Sequence, residues 1–294
     1  MQVGIGMPNT LPGTSGDLLV DWARRADAGP FASLGVLDRI VYQSFEPLVS
    51  LSAAAAVTRR IELVTSILIS PLRETSTLTK QLASLYALAP GRLTVGAAIG
   101  ARGEDYERSE FGRGTRGDRL TEQLATIRTL LEEGAINAAG PTPSPRLLVG
   151  GGSGPSYARA AQLADGWIHG GSPARVFARD VAEMRAAWAD AGRLGRPEIW
   201  SMAYFALGDA EHRGREYLLD YYAFTGAFAP RIADGLLTSA LDVREYLQAY
   251  EDAGCDHLIL FPTVPGIEQL ELLAEVVGGG RVNGQVATGA GGAQ

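Results

Sequence analysis

The sequence predicts an α/β protein built as a single (β/α)8 TIM barrel, and three observations carry that prediction. Short β-type runs alternate with amphipathic helical patterns along almost all of the 294 residues. The strand candidates number eight, the count at which such units close into a barrel. The first strand-to-helix turn, GMPNTLPG, lacks the glycine fingerprint that opens a doubly wound sheet.

The first strand is VGIGM (3–7), and the helix after it is closed by Gly29 and Pro30. SLGVL (33–37) follows. The third strand, IELVTSILI (61–69), carries the hydroxyls of Thr65 and Ser66 inside an apolar run. Buried polar groups need partners, so this pair marks either well-satisfied core hydroxyls or a place where a ligand comes close. Leu78, Leu82, Leu85 and Leu88 then recur at helical spacing. RLTVGAAI (92–99) is the fourth strand, and Leu120, Leu124, Ile127 and Leu131 stripe a later helix. RLLVG (146–150) and GWIH (166–169) come next, with Ser172 as N-cap and Pro173 at the first position of a helix striped by Phe177, Val181, Met184 and Trp188. IWSMAYFAL (199–207) and HLILF (257–261) complete the set, separated by a helix bearing Val243, Tyr246, Leu247 and Tyr250. Insertions after strands four (99–118) and seven (208–240) exceed ordinary connections, and both fall over the C-terminal face, where barrels keep their active sites. The barrel domain is read as 1–277. The glycine-rich stretch 278–294 lacks periodicity and is expected to be disordered.

Composition narrows the function. A net charge of −7 argues against nucleic acid, which requires a basic surface to displace counterions. No apolar run approaches the ~20 residues of a membrane-crossing helix. Cys255 is the single cysteine, so a disulfide or cysteine-based metal cluster within the chain is ruled out and no metal is expected. The start MQVGIGMPNT enters a strand without a leader pattern, which gives a cytoplasmic expectation. The expected partner is a small molecule.

Four places carry chemistry-bearing residues. In LLVGGGSGPSYARAAQLADGW, a strand runs through Gly150, Gly151, Gly152, Ser153 and Gly154 into a helix begun by Pro155 and Ser156. Free amides at a helix start favour an anion such as phosphate, and four glycines exceed what a turn needs. Asp38 and Arg39 close strand two at the catalytic face, where a structural ion pair is the equal alternative. Arg102 follows strand four and suits a phosphate, while Glu104 and Asp105 beside it are expected to be solvated. Of the three histidines, His169 ends strand six at the edge suited to acid–base work. His257 starts strand eight at the opposite edge, and His212 is expected to be exposed.

Taken together, VLDRIVYQSFEPLVSLSAAAAVTRRIELVTSILISPLR, TKQLASLYALAPGRLTVGAAIG and LLVGGGSGPSYARAAQLADGW resemble the luciferase-like flavin-dependent oxidoreductases, the family of bacterial luciferase and the F420-dependent reductases. The resemblance implies a flavin or deazaflavin ring at the C-terminal mouth, against a non-prolyl cis peptide that falls at Ser66 and Ile67. It also implies a cofactor phosphate near Gly150 to Ser156. Several members have a histidine where this chain has Arg39. An arginine cannot act as a base near neutral pH, so the resemblance implies that Arg39 stabilises an anion, with Asp38 orienting it and His169 moving any proton.

Three functions compete on this reading. The first is a two-component monooxygenase using reduced FMN from a separate flavin reductase and O2. The second is an F420-dependent enzyme passing a hydride between the deazaflavin and a small organic substrate. The third is a flavin-binding protein without turnover. Family members are commonly dimers, and a homodimer is expected.

Overall fold

The structure is a computed structural model and describes residues 1–134, 136 and 144–279. In chain order its elements are β1 (Gln2–Gly6), α1 (Gly16–Ala28), β2 (Ser33–Val36), α2 (Pro47–Val57), β3 (Glu62–Ile69), α3 (Thr75–Leu88), β4 (Leu93–Ala98), α4 (Gly103–Glu107), α5 (Arg116–Glu132) and β5 (Arg146–Gly150). They continue as α6 (Gly154–Leu163), β6 (Gly166–His169), α7 (Ala174–Asp190), β7 (Glu198–Phe205), α8 (Glu211–Tyr221), α9 (Ala229–Ala233), α10 (Ala240–Asp252), β8 (His257–Pro262) and α11 (Ile267–Gly278). The strands pair in sequence order and close into a parallel barrel, β1 against β8.

All eight expected strands are present, with ends displaced by one or two residues. One start differs: Pro173, not Ser172, is the N-cap of α7, and the helix begins at Ala174. Of the expected disordered tail, Gly278 ends α11 and residues 280–294 lie outside the described part. The insertion after β4 holds α4, and that after β7 holds α8, a 3-10 turn at Ala223–Phe228, and α9. Among the described residues no helix is long and apolar enough to cross a membrane, and no group of three or more His, Cys, Asp or Glu could hold a metal ion.

Strand alternation divides the core in two. Side chains facing the helices, such as Leu34, Leu63, Val95, Leu147, Trp167 and Leu258, form one buried cluster with the helical stripes. Val64, Leu148, Ile168, Trp200, Met202, Tyr204, Ile259 and Phe261 form the other, inside the barrel. β1 and β2 bring glycine to that interior, and β8 fills the room they leave. A Cβ on Gly6 would lie 2.1 Å from Phe261 Cδ1, and one on Gly35 would lie 3.0 Å from both Ile259 and Phe261.

The N-terminal end of the barrel is a polar floor. Arg146 bridges Glu62 at 2.8 Å and Glu198 at 3.0 Å, and Arg196 grips Asp256 at 2.7 and 2.8 Å. His257, 1 % exposed, stacks on Trp200 at 3.9 Å and meets Ser33 Oγ at 2.7 Å through Nε2. Burial presses its pKa from 6.5 down to about 3, so the folded protein keeps this ring neutral where the unfolded chain protonates it. The stability this supports is complete above pH 6.5 and is lost as pH falls toward about 3. We expect His257→Gln to flatten the acid limb of an unfolding-free-energy-against-pH curve by up to ~1.4 kcal/mol per pH unit. Parallel acid limbs for variant and wild type would contradict this.

Candidate active site

The C-terminal strand ends converge on a mouth whose wall is β3 to β6. At β3 the bond between Ser66 and Ile67 is cis, as the resemblance implied, and the register against β4 shifts between Thr65 and Leu68. The two hydroxyls of this strand differ in environment. Thr65 Oγ1 donates to the Gly96 carbonyl at 2.8 Å, whereas Ser66 Oγ is buried without a hydrogen-bond partner.

Two glycines lie against Ile67 on the neighbouring strands β4 and β5. A Cβ on Gly96 would lie 2.4 Å from the Thr65 carbonyl oxygen, and one on Gly150 would lie 3.1 Å from both Ala98 Cβ and Ile67 Cγ2. Ile67, Gly96, Gly150 and Ile168 are therefore mutual neighbours, and the two glycines give room to the β3 backbone and to Ile67. The glycine loop continues from it. Gly151 has φ +130°, a conformation that favours glycine, and its carbonyl accepts from Trp167 Nε1 at 2.5 Å. Ser153 N–H donates to Ser156 Oγ at 3.0 Å, while the Ser156 hydroxyl donates to the Ser153 carbonyl at 2.7 Å, folding the loop onto the start of α6.

Asp38 and Arg39 do not pair with each other, which corrects the expectation that one orients the other. Asp38 accepts from Arg73 at 2.6 and 3.1 Å and from the Ile69 amide at 2.8 Å, so it locks the end of β3. Burial pushes its carboxyl up from the ordinary value, against the pull of Arg73. Arg39 turns the other way, pairs with Glu104, and has Asp105 Oδ2 3.6 Å from its Nε. Nor is Asp105 solvated: it is 1 % exposed and its Oδ1 accepts the amides of Ile40 at 3.0 Å and Val41 at 2.8 Å. α4 folds onto the loop after β2, so these acids compensate the charge of Arg39 instead of meeting water.

Arg102 is buried, and its Nη2 donates to the Tyr221 carbonyl at 3.0 Å. Its guanidinium lies 4.3 Å from the Tyr221 ring centre and 4.4 Å from that of Phe224, and it forms no ion pair among the described residues. Its contacts and those of the glycine loop are separate sets in this structure.

His169 sits on the helix side of the barrel. Ile168 points inward, so its neighbours Trp167 and His169 point outward, against Phe177 of α7. Gly171 N–H donates to Nδ1 at 3.1 Å, which puts the ring proton on Nε2, 3.4 Å from Asp180 Oδ2. Burial lowers its pKa below 6.5. The structure thus couples His169 to Asp180, which lies beneath Gly152, and not to Asp38, Arg39 or Ser66. His212 is exposed, as expected.

The aromatic stretch after β7 covers the mouth. Tyr217 meets Thr10 Oγ1 at 2.8 Å, Tyr42 donates to Asp220 at 2.6 Å, and the hydroxyls of Tyr204 and Tyr222 meet at 2.8 Å. Sequence reasoning missed Thr10, Tyr42, Arg73 and Tyr204 as parts of the mouth. Tyr204 alone carried a signal, lying in register with Trp200 and Met202 on the inward face of β7.

These features together define a closed (β/α)8 barrel with a tyrosine-rich cover over its C-terminal mouth. The chain belongs to the luciferase-like monooxygenase family, whose description matches residues 1–263. An uncharacterized protein of Mycobacterium tuberculosis is 33 % identical over 173 residues, which is 53 % of this chain and 61 % of that one. A second from the same organism is 28 % identical over 212 residues, 60 % of this chain and 73 % of that one. Among solved structures, an F420-dependent secondary alcohol dehydrogenase in complex with an F420-acetone adduct superposes with a TM-score of 0.81 at 16 % identity, covering 94 % of this chain and 97 % of its own. The monooxygenase RslO1 from Streptomyces bottropensis gives 0.75 at 22 % identity, covering 94 % and 96 %. At these identities the likeness to both structures is one of fold.

Proposed function

We propose that this chain is a two-component monooxygenase that takes reduced FMN from a separate flavin reductase and oxygenates a small organic molecule. One observation carries the choice: the mouth is covered, and its acid–base candidates are already engaged. Asp38 is held by Arg73, and His169 lies behind the barrel wall. Hydride exchange with an alcohol or carbonyl needs a group free to move the proton at the substrate oxygen. Oxygenation needs water kept out, which the tyrosine cover favours.

The residues fit the cofactor. The Gly96 and Gly150 surface accepts a planar ring against Ile67, and the orphaned Ser66 Oγ offers it a hydrogen bond. Gly150, Gly151, Gly152, Ser153, Gly154 and Ser156, at the start of α6, would hold the phosphate, and Arg102, now against Tyr221 and Phe224, is a further candidate cation for the cofactor. When bound, reduced FMN supplies the two electrons with which one atom of O2 enters the substrate and the other leaves as water. Arg39 would face developing negative charge, Asp38 would keep the β3 wall in place, and His169 would support Gly152 through Asp180. The protein would work as a cytoplasmic homodimer.

Titration with FMN and F420, each oxidised and reduced, tests the reading. Reduced FMN is expected to bind in the micromolar range or tighter, corresponding to about −8 kcal/mol, and to support substrate-dependent O2 uptake. Tight F420 binding with no reduced-FMN binding would replace this reading with F420-dependent hydride transfer. Binding of reduced FMN without turnover on any substrate would favour a carrier role.

A further inference from the structure

We infer that Tyr157 is a further ligand of the cofactor phosphate, its hydroxyl donating to a phosphate oxygen held at the start of α6; this rests on the cofactor site proposed above. Tyr157 lies in the first turn of α6, just after the N-cap Ser153 and the Gly-Pro-Ser that begins the helix. Side chains on a helix lean toward its N-terminus, so a long one in the first turn reaches back over the loop that precedes it. Tyr157 does this. A Cβ on Gly152 would lie 3.9 Å from the Tyr157 hydroxyl oxygen, which puts that oxygen beside the middle of the glycine loop.

The hydroxyl is free, although the residue is buried. Tyr157 is 6 % exposed and its ring packs edge-on to Trp167 at 5.6 Å, yet its oxygen has no hydrogen-bond partner among the described residues. A buried tyrosine ordinarily finds one. The nearest acid is already engaged: Arg179 donates to Asp180 Oδ1 at 3.0 and 2.8 Å, and His169 Nε2 lies 3.4 Å from Oδ2. Burial and the charge of Asp180 push the pKa of Tyr157 upward, so the group keeps its proton and can donate it.

The loop needs such a donor. Ser156 directs its hydroxyl proton to the Ser153 carbonyl at 2.7 Å, and the Ser153 amide donates to Ser156 Oγ at 3.0 Å, so both are committed to folding the helix start. An anion placed there meets backbone amides and, on the Gly152 side, the Tyr157 hydroxyl. Hydrogen bonds from a neutral donor to a charged acceptor are about twice as strong as those between neutral groups. The negative charge of Asp180 lies on the same side, 3.7 Å from the same Cβ position, and Arg179 offsets it. Tyr157 is therefore a positioning residue for the cofactor, in contact with its phosphate and remote from the reacting ring.

Dissociation constants for reduced FMN and reduced riboflavin, which lacks the phosphate, test the inference under anaerobic conditions. Tyr157→Phe is expected to weaken reduced FMN by about tenfold or more and to leave reduced riboflavin unchanged. The variant without ligand should melt no lower than wild type, because it loses an oxygen that has no partner to leave behind. Unchanged FMN affinity, an equal loss for FMN and riboflavin, or a lowered melting temperature of the unliganded variant would overturn the inference. If F420 binds and reduced FMN does not, the monooxygenase reading fails alone. Tyr157→Phe must then weaken F420, whose phosphate would take the same place, and spare the deazaflavin that lacks it. Wild-type protein that binds neither FMN nor F420 would sink both.

Discussion

Asp38→Asn is expected to lower the stability of the protein by about 3 kcal/mol or more, read as a lowered guanidinium midpoint at unchanged slope. The Asp38 side chain is fully shielded, that of Arg73 is 13 % exposed, and two hydrogen bonds join them. Asparagine keeps the volume and an acceptor for the Ile69 amide, but it leaves the guanidinium with only the half-exposed Glu46, at 2.9 Å, to balance its charge. Removing one partner of a buried pair is far costlier than replacing both. Asp38→Leu/Arg73→Met should therefore recover most of the loss, and the difference between single and double variants measures the coupling. A single variant as stable as wild type would show that the pair is not what fastens β3 to the loop after β2.

Gly150→Val is expected to weaken reduced-FMN binding by about a hundredfold or more, roughly the loss of 3 kcal/mol, while the protein stays folded. An alanine Cβ there would sit 3.1 Å from both Ile67 Cγ2 and Ala98 Cβ, a contact that small side-chain shifts can relieve. Valine adds two methyl groups to the same surface, where the cofactor ring is proposed to lie. Fluorescence titration and a thermal melt on the same sample separate the two effects. Full affinity in a folded Gly150→Val protein would move the ring away from this wall.

The architecture was legible because both of its periodicities are local. Strand alternation and helical spacing can be read without knowing what lies across the barrel, so the strands emerged with only their ends displaced. The glycine loop was legible for the same reason, since a run such as GGGSGP has few ordinary structural uses. What escaped was pairing at long range. Nothing near Asp38 announces that Arg73 rather than Arg39 will reach it, since that choice depends on the turn after β3 folding back over β2. Glu104 and Asp105 looked like surface acids because α4 is too short to show a period. His169 is different. In GWIH the outward position of Trp167 fixes His169 on the same outer face two residues later, and the alternation that located the strand also carried that information.

The glycines of β1 and β2 have a consequence for where chemistry can happen in this molecule. With no inward side chain at Gly4, Gly6 and Gly35, the lumen beside them is filled from neighbouring strands, by Ser33 of β2 and by Ile259 and Phe261 of β8. The barrel is therefore filled in two different ways: from β8 and β2 at the β8–β1–β2 seam, and by the β3 backbone and Ile67 at Gly96 and Gly150 across from it. Phe261, which belongs to neither the glycine loop nor the aromatic cover, takes the space that side chains at Gly6 and Gly35 would need.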